Sequence, residues 1–329
     1  MALSVEFFKG IEDYKSDPAE ETVVTIGTFD GIHKGHQEIL RKVMDESKRS
    51  GRKAILVTFH PHPRVVVAPE HIPLLLTTLE EKGKFIPHFF DGSVLIMKFS
   101  DELKNQTAEE FIKTLLVDTL NAKKVIVGYD HAFGKDRSGS IEVLKKFGDL
   151  YNYDVEVVAP VMYKEKAVSS SRIRNAIIAN DYKEALTMLG HHYAIAGTVE
   201  RGLGLGRRLG YPTANVSYGM RKLLPAEGVY ACWAQIGDEE KDGMMFIGKN
   251  HFNPQKRITV EANLFDFDKD IYDQEIIVYP THFIRENRKF DSTDTLVEQI
   301  KKDKIEVLNI INEETENVNE QRAKSSTNL

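Results

Sequence analysis

The sequence predicts an α/β domain built on a doubly wound parallel sheet, followed by a small antiparallel β-barrel that is completed by a C-terminal helix. Three observations carry this reading. Short apolar runs alternate with amphipathic segments from Val23 to about Gly190. Beyond Gly190 the runs are β-rich and punctuated by glycine, without helical intervals. The chain has 329 residues, more than one average domain. Strands apolar on both faces need helices over both, the mark of a parallel sheet.

In chain order, the first half predicts strands at Val23 to Ile26, Ala54 to Phe59, Val94 to Phe99, Lys124 to Gly128 and Val155 to Val158. Helical periodicity falls around residues 37 to 48, 79 to 89, 108 to 117 and 140 to 150. In the second half, Tyr193 to Val199, Val229 to Ile236, Met244 to Ile247, Ile258 to Leu264 and Glu275 to Phe283 are the strands of the barrel. Ser292 suits an N-cap, and Leu296, Ile300, Ile305, Leu308 and Ile311 recur at helical spacing after it. From Asn312 to Leu329 the chain is polar and expected to be disordered. The expected domains are therefore 1–186 and 187–311, with a tail at 312–329, and no internal repeat is visible.

Composition sets the class. With 41% hydrophobic and 29% charged residues the chain reads as an ordinary soluble protein, and a formal net charge of −6 argues against a general nucleic-acid binder. Cys232 is the single cysteine, so no intramolecular disulfide forms, which fits a reducing cytoplasm. Glu6, Glu12 and Asp13 replace the basic start of a secretory signal, and no apolar run reaches the ~18 to 20 residues that span a bilayer. A cytoplasmic protein with small-molecule partners, and neither nucleic acid nor membrane among them, is expected.

The most informative segment is Gly27-Thr28-Phe29-Asp30-Gly31-Ile32-His33-Lys34-Gly35-His36, between the first strand and the first helix. A buried strand that turns through glycine into a helix aims backbone N–H groups and the positive end of the helix dipole at one point, where a phosphate can sit. His33 and His36 lie at its mouth and suit nucleotidyl transfer, in which the protein supplies donors to phosphate oxygens. Taken alone, His-x-x-His on a helix is more often two solvated side chains, or half a metal site. Gly27, Gly31 and Gly35 open the backbone for a ligand, and no cysteine pair or Glu-bearing zinc helix accompanies the histidines.

In such sheets ligands bind at the carboxyl ends of the strands. Phe59-His60-Pro61-His62-Pro63 and Gly128-Tyr129-Asp130 also follow strands, so they share one rim with the decapeptide. Ser169-Ser170-Ser171-Arg172-Ile173-Arg174 sets three hydroxyls and two arginines at a helix start. Capping explains the hydroxyls; the arginines oppose the helix dipole unless an anion is near.

These segments, in this order, resemble the bacterial bifunctional riboflavin kinase/FMN adenylyltransferase family, the prokaryotic FAD synthetases. The His-x-Gly-His signature of its nucleotidyltransferase-type first domain is His33-Lys34-Gly35-His36 here. Gly206-Arg207-Arg208-Leu209-Gly210-Tyr211-Pro212-Thr213-Ala214-Asn215 resembles the kinase module's nucleotide segment. Pro212 argues against a dinucleotide fingerprint there, because such a loop runs into a helix.

The resemblance implies transfer of AMP from ATP to FMN, with FAD and pyrophosphate as products, in the first domain. It implies phosphorylation of riboflavin in the second. It assigns His33, His36, Arg174 and Glu261 to catalysis, Glu261 as base toward the ribityl hydroxyl. ATP and its phosphates fall to Gly27, Phe29, Asp30, Gly31, Gly35, Ser169, Ser171 and Arg172, and in the kinase half to Gly206 and Arg207. Pro63, Asp130 and Arg285 are assigned to the flavin, and Thr213 with Asn215 to Mg2+. ATP and Mg2+ are the implied cofactors, with riboflavin, FMN and FAD as substrates or products.

The chain departs from the family pattern at Lys249-Asn250-His251-Phe252, where a Pro-Thr turn is usual, at Asn263 for histidine, at Asp273 for glycine and at His131 for phenylalanine. The kinase departures surround Glu261. The alternatives are therefore an adenylyltransferase with a degenerate kinase half, or a non-catalytic flavin-binding regulator.

Overall fold

The computed structural model describes residues 5–14, 17, 19–135, 138–249 and 258–326. The chain divides into two compact units, Met1–Ile173 with Met188–Gly190, and Arg174–Thr187 with His191–Leu329. Residues 174–187 thus cluster with the barrel, whereas the sequence reading draws the boundary after 186.

In the first unit, β1 (Glu6–Lys9), β2 (Thr22–Ile26), β3 (Lys53–His60), β4 (Ser93–Lys98), β5 (Ala122–Gly128) and β6 (Asp154–Val158) form one sheet in the order β1-β4-β3-β2-β5-β6. Every pairing in it is parallel. All five residues of β2 are buried. From β2 the chain builds outward to β3 and β4 on one side, then to β5 and β6 on the other. The strand order therefore reverses at the β2–β5 pair, which opens a crevice at their carboxyl ends. Val24, Ile26, Ile55, Val57, Leu95, Val125 and Val127 pack against Leu115, Leu116 and Leu144 in the core.

Helices Lys34–Ser50, Leu79–Phe85, Ala108–Phe111 and Ile141–Tyr151 stand where periodicity places them. The helix expected over 79 to 89 ends at Phe85 and tightens into the turn Ile86–His88, because Pro87 has no N–H to continue it. The one expected over 108 to 117 continues as the π-helix Ile112–Thr119. A hairpin, β7 (Met162–Tyr163) and β8 (Lys166–Ala167), precedes the helix Ser170–Ile178.

In the second unit, β9 (Ile195–Glu200), β10 (Ala214–Tyr218), β11 (Gly228–Ile236), β12 (Glu239–Lys249), β13 (Ile258–Leu264) and β14 (Glu275–Glu286) close into an antiparallel barrel. β10 was not foreseen, since only Ala214 and Val216 of its five residues are buried. Ser292 caps the last helix, Thr293–Ser326, by accepting from the Thr295 N–H at 3.2 Å.

Two expectations about that helix change. Its buried face is Ile300, Asp303, Val307 and Ile311, packed against Ala231, Met244 and Phe265, while Ile305 and Leu308 point outward. It also runs through most of the stretch read as a disordered tail. The reason is local: residues 294–326 hold no glycine or proline and many helix formers, so nothing ends a helix already anchored.

Candidate active sites

The first site grows from the end of β2. The Gly27 N–H donates to the Val57 carbonyl at 3.0 Å, after which the chain turns sharply. Phe29 (φ 47°) and Ile32 (φ 41°) adopt left-handed backbone although neither is glycine. Such conformations cost about 1–3 kcal/mol each and persist only where the surroundings fix them.

Asp30 does the fixing. Only 1% exposed, its carboxylate accepts from the Thr77 N–H (2.9 Å), the Leu76 N–H (3.3 Å) and the Thr77 hydroxyl (3.3 Å). The Gly31 N–H donates back to Thr77 Oγ1 at 2.9 Å, and a side chain at Gly31 would meet Leu76 Cδ1 at 2.8 Å. Ser170 Oγ donates to the Asp30 carbonyl at 2.9 Å and ties the turn to the Ser170–Ile178 helix.

His33 caps the Lys34–Ser50 helix, its Nδ1 accepting from the His36 N–H at 3.4 Å. The two imidazoles stack with centroids 3.7 Å apart and planes 15° from parallel. Gly35 is needed for that stack, since a Cβ there would come within 3.2 Å of the His33 ring. Phe29 supports His36 at 5.0 Å between centroids.

Among the described residues, the buried Nδ1 of His36 has no hydrogen-bond partner. Burial first, then His33 and Lys82, holds its pKa well below the usual imidazole value. A neutral imidazole carries one N–H, and a helix N-terminus beside it favours an anion such as phosphate.

The second site lies on the barrel. Asn215 on β10 stands opposite Glu261 on β13. The Glu261 carboxylate accepts from Thr259 Oγ1 at 3.2 Å and Thr213 Oγ1 at 3.5 Å. Gly206 lies so near the Tyr211 carbonyl that a Cβ would sit 2.3 Å from it, which folds the Gly206–Tyr211 loop back toward Thr213. A Cβ at Gly202 would lie 2.4 Å from the Asn215 amide nitrogen and would displace that side chain. Thr213, Asn215 and Glu261 thus present adjacent oxygen donors of the kind that suit a hard divalent cation.

Family models match both halves: FAD synthetase over residues 15–172 and riboflavin kinase over 189–311. The bifunctional riboflavin kinase/FMN adenylyltransferase of Buchnera aphidicola subsp. Schizaphis graminum is 35% identical over 92% of this chain and 98% of its own. That of Escherichia coli K12 is 33% identical over 92% and 96%. The chain belongs to this bifunctional family. A solved structure of a macrolide-efflux protein from Streptococcus pneumoniae matches 93% of this chain and 99% of its own at 34% identity and a TM-score of 0.80. Among the described residues, no helix is long and apolar enough to cross a membrane.

Several of the expected residues also make contacts within the chain. Phe29 and Asp30 are buried and hold the turn, Phe29 against the His36 ring and Asp30 through the Thr77 N–H. One terminal nitrogen of Arg172 donates to the carbonyls of Tyr163, Lys166 and Ala167, which binds it to the β7–β8 hairpin. Arg285 forks onto the buried Asp303 (2.7 to 3.0 Å) and the Glu286 carbonyl, anchoring the last helix. Of the serines, Ser169 caps the Arg172 N–H, Ser171 is exposed, and the unassigned Ser170 touches the decapeptide.

Asp130 is exposed just beyond β5, Pro63 opens the short helix Arg64–Val67, Arg207 is exposed, and Arg174 falls in the second unit. The Lys249 N–H donates to Glu227 at 3.2 Å, and the rest of that departure, from Asn250, lies outside the described residues.

The other departures each have a local structural role. Asp273 adopts φ 61°, the left-handed backbone that glycine favours, and Asn263 donates to the Pro212 carbonyl at 2.7 Å, holding the Thr213 segment. His131 stacks on Phe133 with ring centroids 5.6 Å apart.

Sequence reasoning missed Lys82. It is 7% exposed, and its ammonium donates to the Thr28 carbonyl. The signal was available: Lys82 lies three residues before Phe85, on the buried face of its helix.

Proposed function

We propose that the first unit transfers AMP from ATP to the phosphate of FMN, releasing FAD and pyrophosphate, and that the barrel transfers the γ-phosphate of ATP to riboflavin. The observation that carries the first half is the stacked pair His33 and His36, with the His36 pKa held well below the usual imidazole value by burial, at the start of a 17-residue helix beside the sheet's switch point. FMN's phosphate is already a nucleophile, so this site has to align it with the α-phosphorus and stabilise charge; alignment supplies ~7 to 11 kcal/mol in favourable cases. His36 and the helix N–H groups are the donors, Gly31 and Gly35 admit the backbone to the phosphates, and Asp130 and Pro63 stand at strand ends where the flavin would lie.

Riboflavin's ribityl hydroxyl is a poor nucleophile at neutral pH and profits from a base. Glu261 fills that role, with Thr259 and Thr213 setting the direction of its carboxylate. Thr213 and Asn215 would hold Mg2+, which neutralises phosphate charge when bound. Gly206 and Arg207 border the nucleotide, and the cytoplasm is the compartment that fits.

Product analysis by chromatography, with riboflavin and FMN supplied separately alongside ATP and magnesium, tests both halves. FMN followed by FAD is expected from riboflavin, and FAD with pyrophosphate from FMN. Absence of FMN from riboflavin would leave the adenylyltransferase alone.

A further inference from the structure

We propose that Lys82 is a phosphate-contacting cation of the adenylyl-transfer site, gripping the polyphosphate of the nucleoside triphosphate at the bond that breaks. The inference rests on the adenylyl-transfer reading above and adds to it a group from a separate helix. Lys82 sits in Leu79–Phe85, which the Asp30–Thr77 hydrogen bonds and the Thr78–Glu81 capping box hold against the decapeptide. It is 7% exposed, a rare state for a lysine.

An ammonium has three N–H donors. One reaches the Thr28 carbonyl, and among the described residues the other two have no protein acceptor. The charged and titratable groups that act on Lys82 or feel its charge are Asp30, His36 and His60. The Asp30 carboxylate is already occupied by the Thr77 and Leu76 N–H groups, and both imidazoles are pushed toward neutrality, in part by Lys82 itself. His36 presents its own unmatched nitrogen nearby. The Lys82 ammonium and the buried His36 Nδ1, from different elements, therefore hold hydrogen-bonding capacity unmatched by protein, which is how an anion is held.

During transfer an FMN phosphate oxygen forms a bond to the α-phosphorus of ATP. The bond from that phosphorus to the bridging oxygen breaks, and pyrophosphate leaves with the electron pair. No proton is required of Lys82. Its charge opposes the negative charge that grows on the departing oxygens, and a lysine there acts as a point charge.

Lys82→Gln separates this role from simple support of Thr28, because the amide keeps a donor for the carbonyl and loses the charge. The Gln variant is expected to lose ~100- to 1,000-fold in kcat for FAD formation from FMN, with KM for FMN little changed. Inhibition by inorganic pyrophosphate should weaken in parallel, while riboflavin phosphorylation by the same chain persists as a check on folding. Lys82→Arg should recover part of the loss. A Gln variant with near-normal kcat and unchanged pyrophosphate inhibition overturns the proposal and leaves Lys82 a structural peg. If the unmodified protein makes no FAD from FMN, the functional reading fails first. ATP titration of both chains then tests Lys82 separately, and equal affinities would overturn it.

Discussion

His36 shows how a single imidazole is tuned for its task. Buried beside His33 and Lys82, it is held neutral where a free histidine would begin to charge, near pH 6.5. His36→Ala should therefore lower FAD formation about 100-fold or more, measured with saturating FMN, while leaving the fold intact by circular dichroism. Near-normal turnover would remove His36 from the mechanism. The sign of the linked pH effect follows from the same depression. Between the folded pKa and ~6.5 the unfolded chain binds a proton that the folded chain refuses. The stabilising contribution is complete above ~6.5 and falls away as pH drops below it. Denaturant titrations at pH 7.5 and 5.5 should show a smaller loss for His36→Ala than for the unchanged protein. The decapeptide was legible because glycine and histidine at fixed spacing state their purpose locally. Ser170, Lys82 and the engagement of Arg172 were not, because each depends on a partner distant along the chain or on the direction a side chain takes.

At the scale of elements, β13 and the last helix carry the barrel's chemistry and its support. Glu261→Gln should cut riboflavin phosphorylation by ~10² to 10⁴, the range for a lost general base, in a coupled ADP-release assay. An unchanged rate would return Glu261 to an ordinary strand residue. The Arg285–Asp303 fork, with Asp303 almost fully buried, makes a different prediction. Asp303→Ala leaves a guanidinium without its counter-charge and should destabilise the second unit by about 3–5 kcal/mol in thermal melts. The buried strands β2, β3, β4, β5 and β13 could be read from the sequence because their apolar runs have no other use. β1 and β10 could not, since most of their side chains stay outside the core and only their backbone pairing makes them strands. The last helix was placed correctly but turned wrongly: Ile305 and Leu308 fit the helical period, yet the face that packs is centred on Val307.

For the whole molecule, two units with separate chemistry imply separable failures. His36→Ala fed riboflavin should accumulate FMN, whereas Glu261→Gln should make FAD only from added FMN; a variant that silences both activities would contradict that independence. The closed barrel has one more consequence. Among the described residues its six strands pair all the way round, leaving no open edge strand for a neighbouring chain. The parallel sheet ends in β1 and β6, each with one flank unpaired. Under heat or crowding during synthesis, chain-to-chain strand pairing among the described residues is open to the α/β half, where four-residue β1, with Glu6 and Lys9 at its ends, is a short and charged template. Charge at that border is the place to adjust how readily the protein aggregates without approaching either active site.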